Sequence, residues 1–372
     1  MDNAELCVQG PLSARASGLA GVVVADTRLS HVDGEAGELL IAGARAEAWA
    51  LAEDAEFETL ARRLLELAEA SPPSDFAGAL SLAREQAFLQ VPELSRALAV
   101  PDAMDSLLAA TAQGGAGSNQ LALLGALPVY VAAGARLRAG LPLIAPSRER
   151  SHAADFLAML GLPVSQARVR ALDAYLITVS DHGLNASTFA ARVVASTGAD
   201  TMPCLVAALG ALKGPLHGGA PGPVLDMLDA TEGSEPKAWL EAELAAGRRI
   251  MGMGHRIYRV RDPRAFVFER ALARLAEQAA SSPALAARLA HARRVEQTAE
   301  AVLSARHPER PLRANVEFYT ALLLEALGIP RALFSATFAV GRAAGWLAHV
   351  AEQRRTGKLI RPASRYVGPL PD

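Results

Sequence analysis

The hydrophobic positions of this chain recur mostly at the spacing of an α-helix. From residue 44 onward, alanine, leucine, arginine and glutamate fill long stretches, and these residues are strong helix formers. Between 55 and 70, Phe57, Leu60, Leu64 and Leu67 are spaced by three and four residues and therefore share one helical face. Similar patterns predict helices at about 152–161, 166–180, 185–197, 203–213, 236–246, 316–327 and 332–355, and a charged helical stretch that ends near 306.

Strand signals are confined to the first part of the chain. The short apolar runs 22–24 and 39–41 flank a turn-rich segment with Asp33-Gly34 and Gly37, which predicts a small β-hairpin. Loops are expected where glycine and proline cluster, at 72–73, 114–117, 142–146, 214–223 and 251–264. The predicted fold is therefore mostly α-helical, with a short N-terminal hairpin and functional loops between packed helices.

Composition excludes several classes of protein. The 372 residues are 51% hydrophobic and 20% charged, which excludes a disordered chain. The net charge of −2 provides no basic field for nucleic acid or for an anionic membrane. Two cysteines, Cys7 and Cys204, are too few for a disulfide framework or a four-cysteine zinc site. Only three of the 37 basic residues are lysines, a bias that suits carboxylate recognition but that genome base composition produces equally well.

Targeting and membrane segments are not expected. The segment 1–10 carries Asp2 and Glu5 and no basic residue, unlike a signal peptide. The longest uncharged stretch, 106–135, is interrupted by Pro128 and by polar residues, so its apolar part is expected to be too short to span a bilayer. We therefore expect a soluble cytoplasmic protein.

Three of the eight histidines lie in surroundings typical of a ligand site. His182, His217 and His255 occur in the segments SDHGLN, GPLHGG and GMGHRI, where glycine allows close approach of the backbone to a ligand. Taken singly, each is more often structural, and it is their combination that favours function. The other five are expected at the surface (His31, His152, His291 and His307) or in the core (His349).

Three arginines and one glutamate extend this set. Arg264 follows His255 by nine residues, and Arg342 lies in an apolar helix, where burial requires an anionic ligand or a structural salt bridge. Arg361 precedes a proline in the C-terminal segment. The alternative interpretation of this arginine is a surface charge without a function. Glu317 begins a predicted helix, where an acid also stabilises the helix dipole. Walker, HExxH, GxSxG and CxxC motifs do not occur in the sequence.

These histidines, arginines and the glutamate occur in segments that resemble the citrate synthase family. The resemblance rests on SDHGLNASTFAARVVASTGAD (180–200), ALGALKGPLHGGAPGPVLDML (208–228), MGMGHRIYRVRDPRA (251–265), RANVEFYTALLLEALGIP (313–330), FAVGRAAGWLAHVAEQ with IRPASRYVGP (338–369), and GLAGVVVADTRLSHVDGEAGELLIAG (18–43). It is poor from about 44 to 146. It implies the all-α citrate synthase fold, with a large helical domain (1–218 and 330–372), a small helical domain (219–329) and a substrate cleft between them.

The resemblance also implies the roles of individual residues. It makes His217, His255 and Glu317 catalytic and assigns oxaloacetate binding to His182, His255, Arg264, Arg342 and, from the partner subunit of a homodimer, Arg361. Coenzyme A is expected to contact Met251, Gly252, Met253, Arg259 and Arg310, and Ser187 is expected to orient His217. The implied reaction condenses acetyl-CoA, a co-substrate, with oxaloacetate, and it requires neither a metal nor a redox cofactor.

The sequence departs from the family pattern at the proposed base. The familiar motif is NVDFY, whereas this chain has Asn315-Val316-Glu317-Phe318-Tyr319. Either the backbone compensates for the longer side chain, which we favour, or the enzyme is slow. Met253 stands where a bulkier aromatic residue is common. Three alternatives stay open: 2-methylcitrate synthase using propionyl-CoA, a non-catalytic protein that binds oxaloacetate or coenzyme A, and a helical partner-binding protein. Without a further N-terminal domain, a simple dimer is expected.

Overall fold

The computed structural model describes residues 19, 21–115, 119–217, 222–278 and 283–369. Three short strands, β1 (Ser30–Asp33), β2 (Glu38–Ile41) and β3 (Ala44–Arg45), form one antiparallel sheet in that order. The first pair has Ser30 opposite Ile41 and Asp33 opposite Glu38. The segment 1–10, including Cys7, lies outside the described residues.

The predicted hairpin exists, but one of its two strands was assigned wrongly. Residues 22–24 are not in a strand; Ser30–Asp33 pairs with Glu38–Ile41 instead. The reason is the turn, because the Asp33 carboxylate accepts hydrogen bonds from the backbone N–H groups of Glu35 and Ala36 at 2.9 and 2.8 Å. A turn that begins at Asp33 pairs the residues directly before Asp33 with those directly after the turn. The apolar character of a segment does not by itself reveal this strand register.

The described residues form sixteen α-helices and one short 3₁₀ helix, Arg331–Leu333. The helices are α1 (Ala46–Ala50), α2 (Phe57–Leu67), α3 (Phe76–Leu89), α4 (Ser95–Leu98), α5 (Ala103–Gly114), α6 (Gln120–Arg138), α7 (His152–Leu160), α8 (Gln166–Val179), α9 (Ala186–Ala195), α10 (Thr201–Lys213), α11 (Gly222–Ala230), α12 (Pro236–Ala245), α13 (Pro263–Gln278), α14 (Pro283–Arg306), α15 (Val316–Ala326) and α16 (Phe334–Thr356). These bounds confirm the predicted helices to within about two residues. The predicted loops at 114–117 and 214–223 fall partly on 116–118 and 218–221, which lie outside the described residues.

Helix α6 is more continuous than its sequence indicated. Pro128 lies inside it, and by length and composition the helix is apolar enough to cross a membrane, so the expected interruption was wrong. However, 67% of its most apolar window is buried inside the protein. It packs against α3, α5, α7 and α16, which is the environment of a core helix.

Two histidines expected at the surface are buried instead. The His152 side chain is fully buried, with its ring centroid 4.9 Å from that of Phe57. The Nε2 atom of His291 lies 3.1 Å from the Thr231 hydroxyl. Polar neighbours in sequence do not reveal which helical face turns inward. His31 and His307 are exposed and His349 is buried, as predicted.

A close contact between α16 and the end of α8 positions the central polar residues. The backbone N–H of Gly345 donates to the carbonyl of Ser180 at 3.1 Å. A Cβ atom at Gly345 would lie 2.2 Å from that oxygen, so only glycine allows the contact. The contact thereby brings Trp346, the next residue, against Ser187, and Arg342, one turn earlier in α16, against Val179.

Candidate active site

A cavity of about 840 Å³ opens where α8, α9, α15 and α16 meet the loops before α11 and α13. Six of the predicted site residues line it: His182, His217, His255, Arg264, Glu317 and Arg342. The remaining predicted residues do not line it: Ser187, Met251, Gly252, Met253, Arg259, Arg310 and Arg361. The central prediction, that Glu317 and His217 face one shared cavity, agrees with this geometry.

Backbone pairing between two distant loops brings His255 and Glu317 into the wall of one cavity. The N–H of Asn315 donates to the carbonyl of Gly252 at 2.9 Å, and its side-chain amide donates to the carbonyl of Gly254 at 2.8 Å. The Asn315 side-chain oxygen also caps α15 by accepting the N–H of Glu317 at 3.0 Å. Gly252 and Gly254 have φ values of +76° and +81°, a conformation that other residues rarely adopt.

Asp262 ties Arg264 to the same helix. Its carboxylate accepts from Arg264 Nε at 3.0 Å and from Nη2 at 2.7 Å, in a buried bidentate ion pair. One of its oxygens also accepts the backbone N–H of Val316 at 3.1 Å. The arginine and the first turn of α15 are therefore fixed to one carboxylate.

His255 is a neutral hydrogen-bond donor. Its Nδ1 accepts the backbone N–H groups of Ile257 and Tyr258 at 3.1 and 3.0 Å, so the ring proton resides on Nε2. Burial, reinforced by the charge of Arg264, lowers the pKa of His255 to about 4. Nε2 lies 3.3 Å from Arg264 Nη2, and since both atoms carry hydrogen, they are two adjacent donors. Such a pair suits a carbonyl oxygen that gains negative charge.

Arg342 brings a buried positive charge to the cavity. Its Nε donates to the carbonyl of Val179, and its guanidinium lies 4.6 Å from the ring centroid of Phe338. Burial lowers the pKa of Arg342 to about 9, against the opposing charge of Asp181, so the group stays charged at neutral pH. Among the described residues no carboxylate forms an ion pair with it, which favours an anionic ligand over the structural salt bridge.

His182 lines the same cavity as these two arginines. Burial, with the charges of Arg264 and Arg342, holds its pKa well below the usual range, so the ring is neutral. Its Nε2 is 3.1 Å from the hydroxyl of Tyr258. His182 therefore presents a neutral hydrogen-bonding group beside two fixed cations.

Ser187 contacts His217 as predicted, although the serine itself is behind the cavity wall. The His217 Nε2 atom lies 2.7 Å from the Ser187 hydroxyl and 3.3 Å from its backbone nitrogen. That backbone N–H can only donate, so Nε2 is an acceptor and the proton of the neutral ring is on Nδ1. Burial and the charge of Arg342 lower the pKa of His217 to about 4.

Glu317 has the properties of a general base at neutral pH. Burial raises its pKa to about 7, while the charge of Arg264 opposes that shift. Among the described contacts, no group donates a hydrogen bond to its carboxylate, so the carboxylate is free to accept a proton. A carboxylate whose pKa is near the working pH is substantially deprotonated, and it is also basic enough to accept a proton readily.

The residues predicted to bind coenzyme A do not line the cavity. Gly252 and Met253 are buried in the paired loops and Met251 is half-buried, whereas Arg259 and Arg310 are exposed. Arg361, predicted to bind oxaloacetate, is also exposed. Sequence reasoning missed Asn185 and Arg256, which do line the cavity. Asn185 could have been found as the N-cap before α9, and Arg256 by its position directly after His255. Within the described ranges, no group of three or more potential ligands could hold a metal ion.

Comparison with known proteins identifies the family. A family model described as "Citrate synthase, C-terminal domain" matches residues 18–363. The chain belongs to the citrate synthase family. The predicted resemblance is therefore confirmed, and so is the all-α citrate synthase fold.

Individual citrate synthases show how far the similarity extends. The citrate synthase of Haloferax volcanii is 35% identical over 375 residues, covering 94% of this chain and 95% of that protein. The putative citrate synthase 2 of Mycobacterium tuberculosis is 47% identical over 204 residues, which cover 55% of this chain. That match spans only about half of the relative, 52% of its length.

Solved citrate synthase structures match the whole fold. The structure from Pyrobaculum aerophilum has a TM-score of 0.81 and 32% identity, covering 94% of this chain and 92% of that one. The structure from Thermoplasma acidophilum, a ternary complex with carboxymethyl coenzyme A and oxaloacetate, has a TM-score of 0.80 and 25% identity, covering 95% and 96%.

Proposed function

We propose that this protein is a citrate synthase, which condenses acetyl-CoA with oxaloacetate to give citrate and coenzyme A. The observation that carries the proposal is a single cavity in which Glu317, with a pKa of about 7, faces neutral histidines and two arginines. The Thermoplasma acidophilum relative, in complex with oxaloacetate and a coenzyme A analogue, supports the choice of substrates.

Oxaloacetate would bind through its two carboxylates and its ketone. Arg342 forms no ion pair with a described carboxylate, and a dicarboxylate would supply an anion in direct contact with it. The adjacent N–H groups of His255 and Arg264 would hold the ketone oxygen, with His182 in the same cavity wall. Polarisation of that carbonyl makes its carbon the electrophile.

The acyl thioester would become the nucleophile through loss of a methyl proton. Glu317 accepts the proton, and the C–H electron pair forms a carbon–carbon double bond while charge moves onto the thioester oxygen. The Nδ1–H of His217 donates to that oxygen and stabilises the charge. A thioester methyl is a very weak acid, so the base and the donor must act on the same bound molecule.

Condensation and hydrolysis would complete the reaction. The enol carbon bonds to the ketone carbon of oxaloacetate, whose carbonyl electrons move to the oxygen held by His255 and Arg264. That oxygen then takes up a proton to give citryl-CoA. Water cleaves the thioester, releasing citrate and coenzyme A and driving the sequence forward. This chemistry uses side chains alone, and we propose that no metal or redox cofactor takes part.

We also propose a cytoplasmic homodimer with shared active sites. The support is the segment 357–369, which has no helix or strand and exposes Leu359, Tyr366 and Val367, together with Arg361. Such a segment suits a neighbouring subunit, to whose cavity Arg361 would be added. The buried free thiol of Cys204 suits a reducing compartment. The division into a large domain (1–218 and 330–372) and a small domain (219–329), closing on substrate, belongs to the same proposal.

Thiol release from acetyl-CoA tests the proposal. The wild-type protein should release coenzyme A only when oxaloacetate is also present. Glu317→Gln should lower the rate by about a thousandfold, because a general base typically contributes about two to four powers of ten. Calorimetry should show unchanged oxaloacetate binding. Glu325→Gln, on the same helix but outside the cavity, is the matched control and should retain wild-type activity.

The alternatives make distinct predictions in the same assay. Background thiol release by the wild-type protein, with oxaloacetate still bound, would show a non-catalytic binding protein and overturn the proposal. A higher kcat/KM for propionyl-CoA than for acetyl-CoA would instead show a 2-methylcitrate synthase, since one methylene alters pocket discrimination by only about 1–3 kcal/mol.

A further inference from the structure

Trp346 is a fully buried tryptophan directly behind the cavity. It lies on α16 four residues after Arg342, so the two side chains project from the same helical face. Its indole N–H donates to the hydroxyl oxygen of Ser187 at 3.1 Å. An indole N–H can only donate, so this bond occupies one lone pair of the serine oxygen.

The remaining groups around that oxygen determine where the hydroxyl proton goes. Two acceptors are within reach, the side-chain oxygen of Asn185 at 2.8 Å and His217 Nε2 at 2.7 Å. The Asn185 oxygen already accepts the backbone N–H groups of Ser187 and Thr188, both at 3.1 Å. Two backbone donors therefore compete with the hydroxyl for that oxygen, whereas His217 Nε2 is the nearer acceptor, and we infer that the hydroxyl proton goes to His217.

We propose that Trp346 is a positioning residue that acts through Ser187 to keep the proton of His217 on Nδ1. The bonds run in one direction, from indole N–H to hydroxyl and from hydroxyl to Nε2, and each polarises the next. The backbone N–H of Ser187 also reaches Nε2, but it is shared with the Asn185 oxygen and is the longer contact, at 3.3 Å against 2.7 Å for the hydroxyl. Without the indole donor, the freed hydroxyl can rotate and accept a proton from Nε2, and only this shared backbone donor opposes the change. The neutral ring would then have no hydrogen on Nδ1. This inference rests on the proposed function, which requires that Nδ1–H at the thioester oxygen.

The helix contact described above makes Trp346 suited to this role. Gly345, the preceding residue, is hydrogen-bonded to Ser180 across a gap that excludes a Cβ atom. The indole therefore cannot retreat from Ser187 without separating α16 from α8. One turn of α16 thus supports both halves of the reaction, with Arg342 on the oxaloacetate side and Trp346 behind the acyl-CoA side.

Trp346→Phe tests the inference because it keeps a ring and removes only the donor. We expect kcat for coenzyme A release to fall about tenfold, the effect of about 1.4 kcal/mol for one hydrogen bond, with oxaloacetate affinity unchanged. Trp49→Phe is the matched control, since its indole N–H donates to the Ile41 carbonyl at 2.8 Å, away from the cavity. That variant should keep wild-type kcat.

Two further measurements separate positioning from packing. In a Ser187→Ala background, Trp346→Phe should cause no additional loss of kcat; additive losses would overturn the inference. Nitrogen-15 NMR of labelled histidine should show Nε2 of His217 unprotonated in the wild type and partly protonated in Trp346→Phe. If Trp346→Phe does not fold, 3-benzothienylalanine at position 346 preserves the shape of the indole without its N–H.

The outcomes also distinguish this inference from the proposed function. Absence of wild-type turnover would overturn the function, whereas the NMR comparison would still test the contact between Trp346, Ser187 and His217. Wild-type turnover together with an unchanged kcat and an unchanged His217 tautomer in Trp346→Phe would overturn the inference alone.

Discussion

The carboxylate of Glu317 titrates in the range in which a neutral-pH enzyme works. Burial raises its pKa to about 7, and a base is active only when deprotonated, so activity is lost as pH falls through that value. We predict that kcat/KM for acetyl-CoA rises about tenfold per pH unit below about pH 6 and levels off above about pH 8. His217 and His255, with pKa values of about 4, stay neutral throughout this range. A steady-state profile that is flat across it would contradict the base role.

The length of the Glu317 side chain is a second feature to test at the residue scale. Hydrogen bonds from Asn315 to Gly252 and from Glu317 to Asn315 hold the backbone at the start of α15. The helix therefore cannot move toward the cavity to compensate for a shorter side chain at position 317. We predict that Glu317→Asp lowers kcat by about a hundredfold, because its carboxylate withdraws by about 1 Å. Glu325→Asp on the same helix serves as the control. A kcat equal to or above wild type would show that this backbone is not adapted to glutamate.

At the scale of elements, the contact between α8 and α16 depends on the absence of a side chain at Gly345. An added Cβ would lie 2.2 Å from the backbone oxygen of Ser180, and backbone cannot swing aside as a flexible side chain does. We therefore predict that Gly345→Ala lowers the free energy of unfolding by about 1–3 kcal/mol. It should also reduce kcat, because Trp346 moves with the helix.

A second glycine provides the comparison for that prediction. Gly210 lies within α10, and a Cβ there meets nothing within 4 Å. Gly210→Ala should raise the free energy of unfolding by about 0.5–1 kcal/mol, since alanine favours helix. Urea denaturation of both variants measures the two effects. Equal stabilities for the two alanine variants would show that the helix contact tolerates a side chain.

At the scale of the whole molecule, the proposed dimer places Arg361 in the neighbouring cavity. Arg361 is exposed in the single chain and does not line its own cavity. We predict that Arg361→Ala raises the KM for oxaloacetate by about tenfold or more, the effect of losing a charged hydrogen bond worth about 1.5–3 kcal/mol. Light scattering should show a dimer for both the variant and the wild type.

Subunit exchange makes the shared site testable directly. Homodimers of Glu317→Gln lack the base in both sites, and homodimers of Arg361→Ala lack the arginine in both. A mixed dimer has one site with both defects and one site with neither. Activity at low oxaloacetate should therefore rise after the two variants are mixed and allowed to exchange. Sites completed within one chain would give no such gain.

Local signals were sufficient for most helices but not for strand pairing. Helices α7 and α8 begin after Ser151 and Ser165, whose side chains cap the first turn, and such caps are visible in sequence. The strand at 22–24 was wrong because an apolar run carries no information about register. His152 and His291 were misplaced for a related reason, since burial depends on which neighbouring helix covers a face.

The sequence by itself determined the helical class, the family and the residue types available for chemistry, because these depend on local spacing and on short motifs. Tertiary structure decided which of those side chains meet. Ser187 and Trp346 are separated by 159 residues, and their contact follows from the packing of α16. The raised pKa of Glu317 and the lowered pKa values of the histidines likewise arise from burial and from charges brought close by folding. Desolvation is set by all the chain that surrounds a group, so no local pattern encodes it.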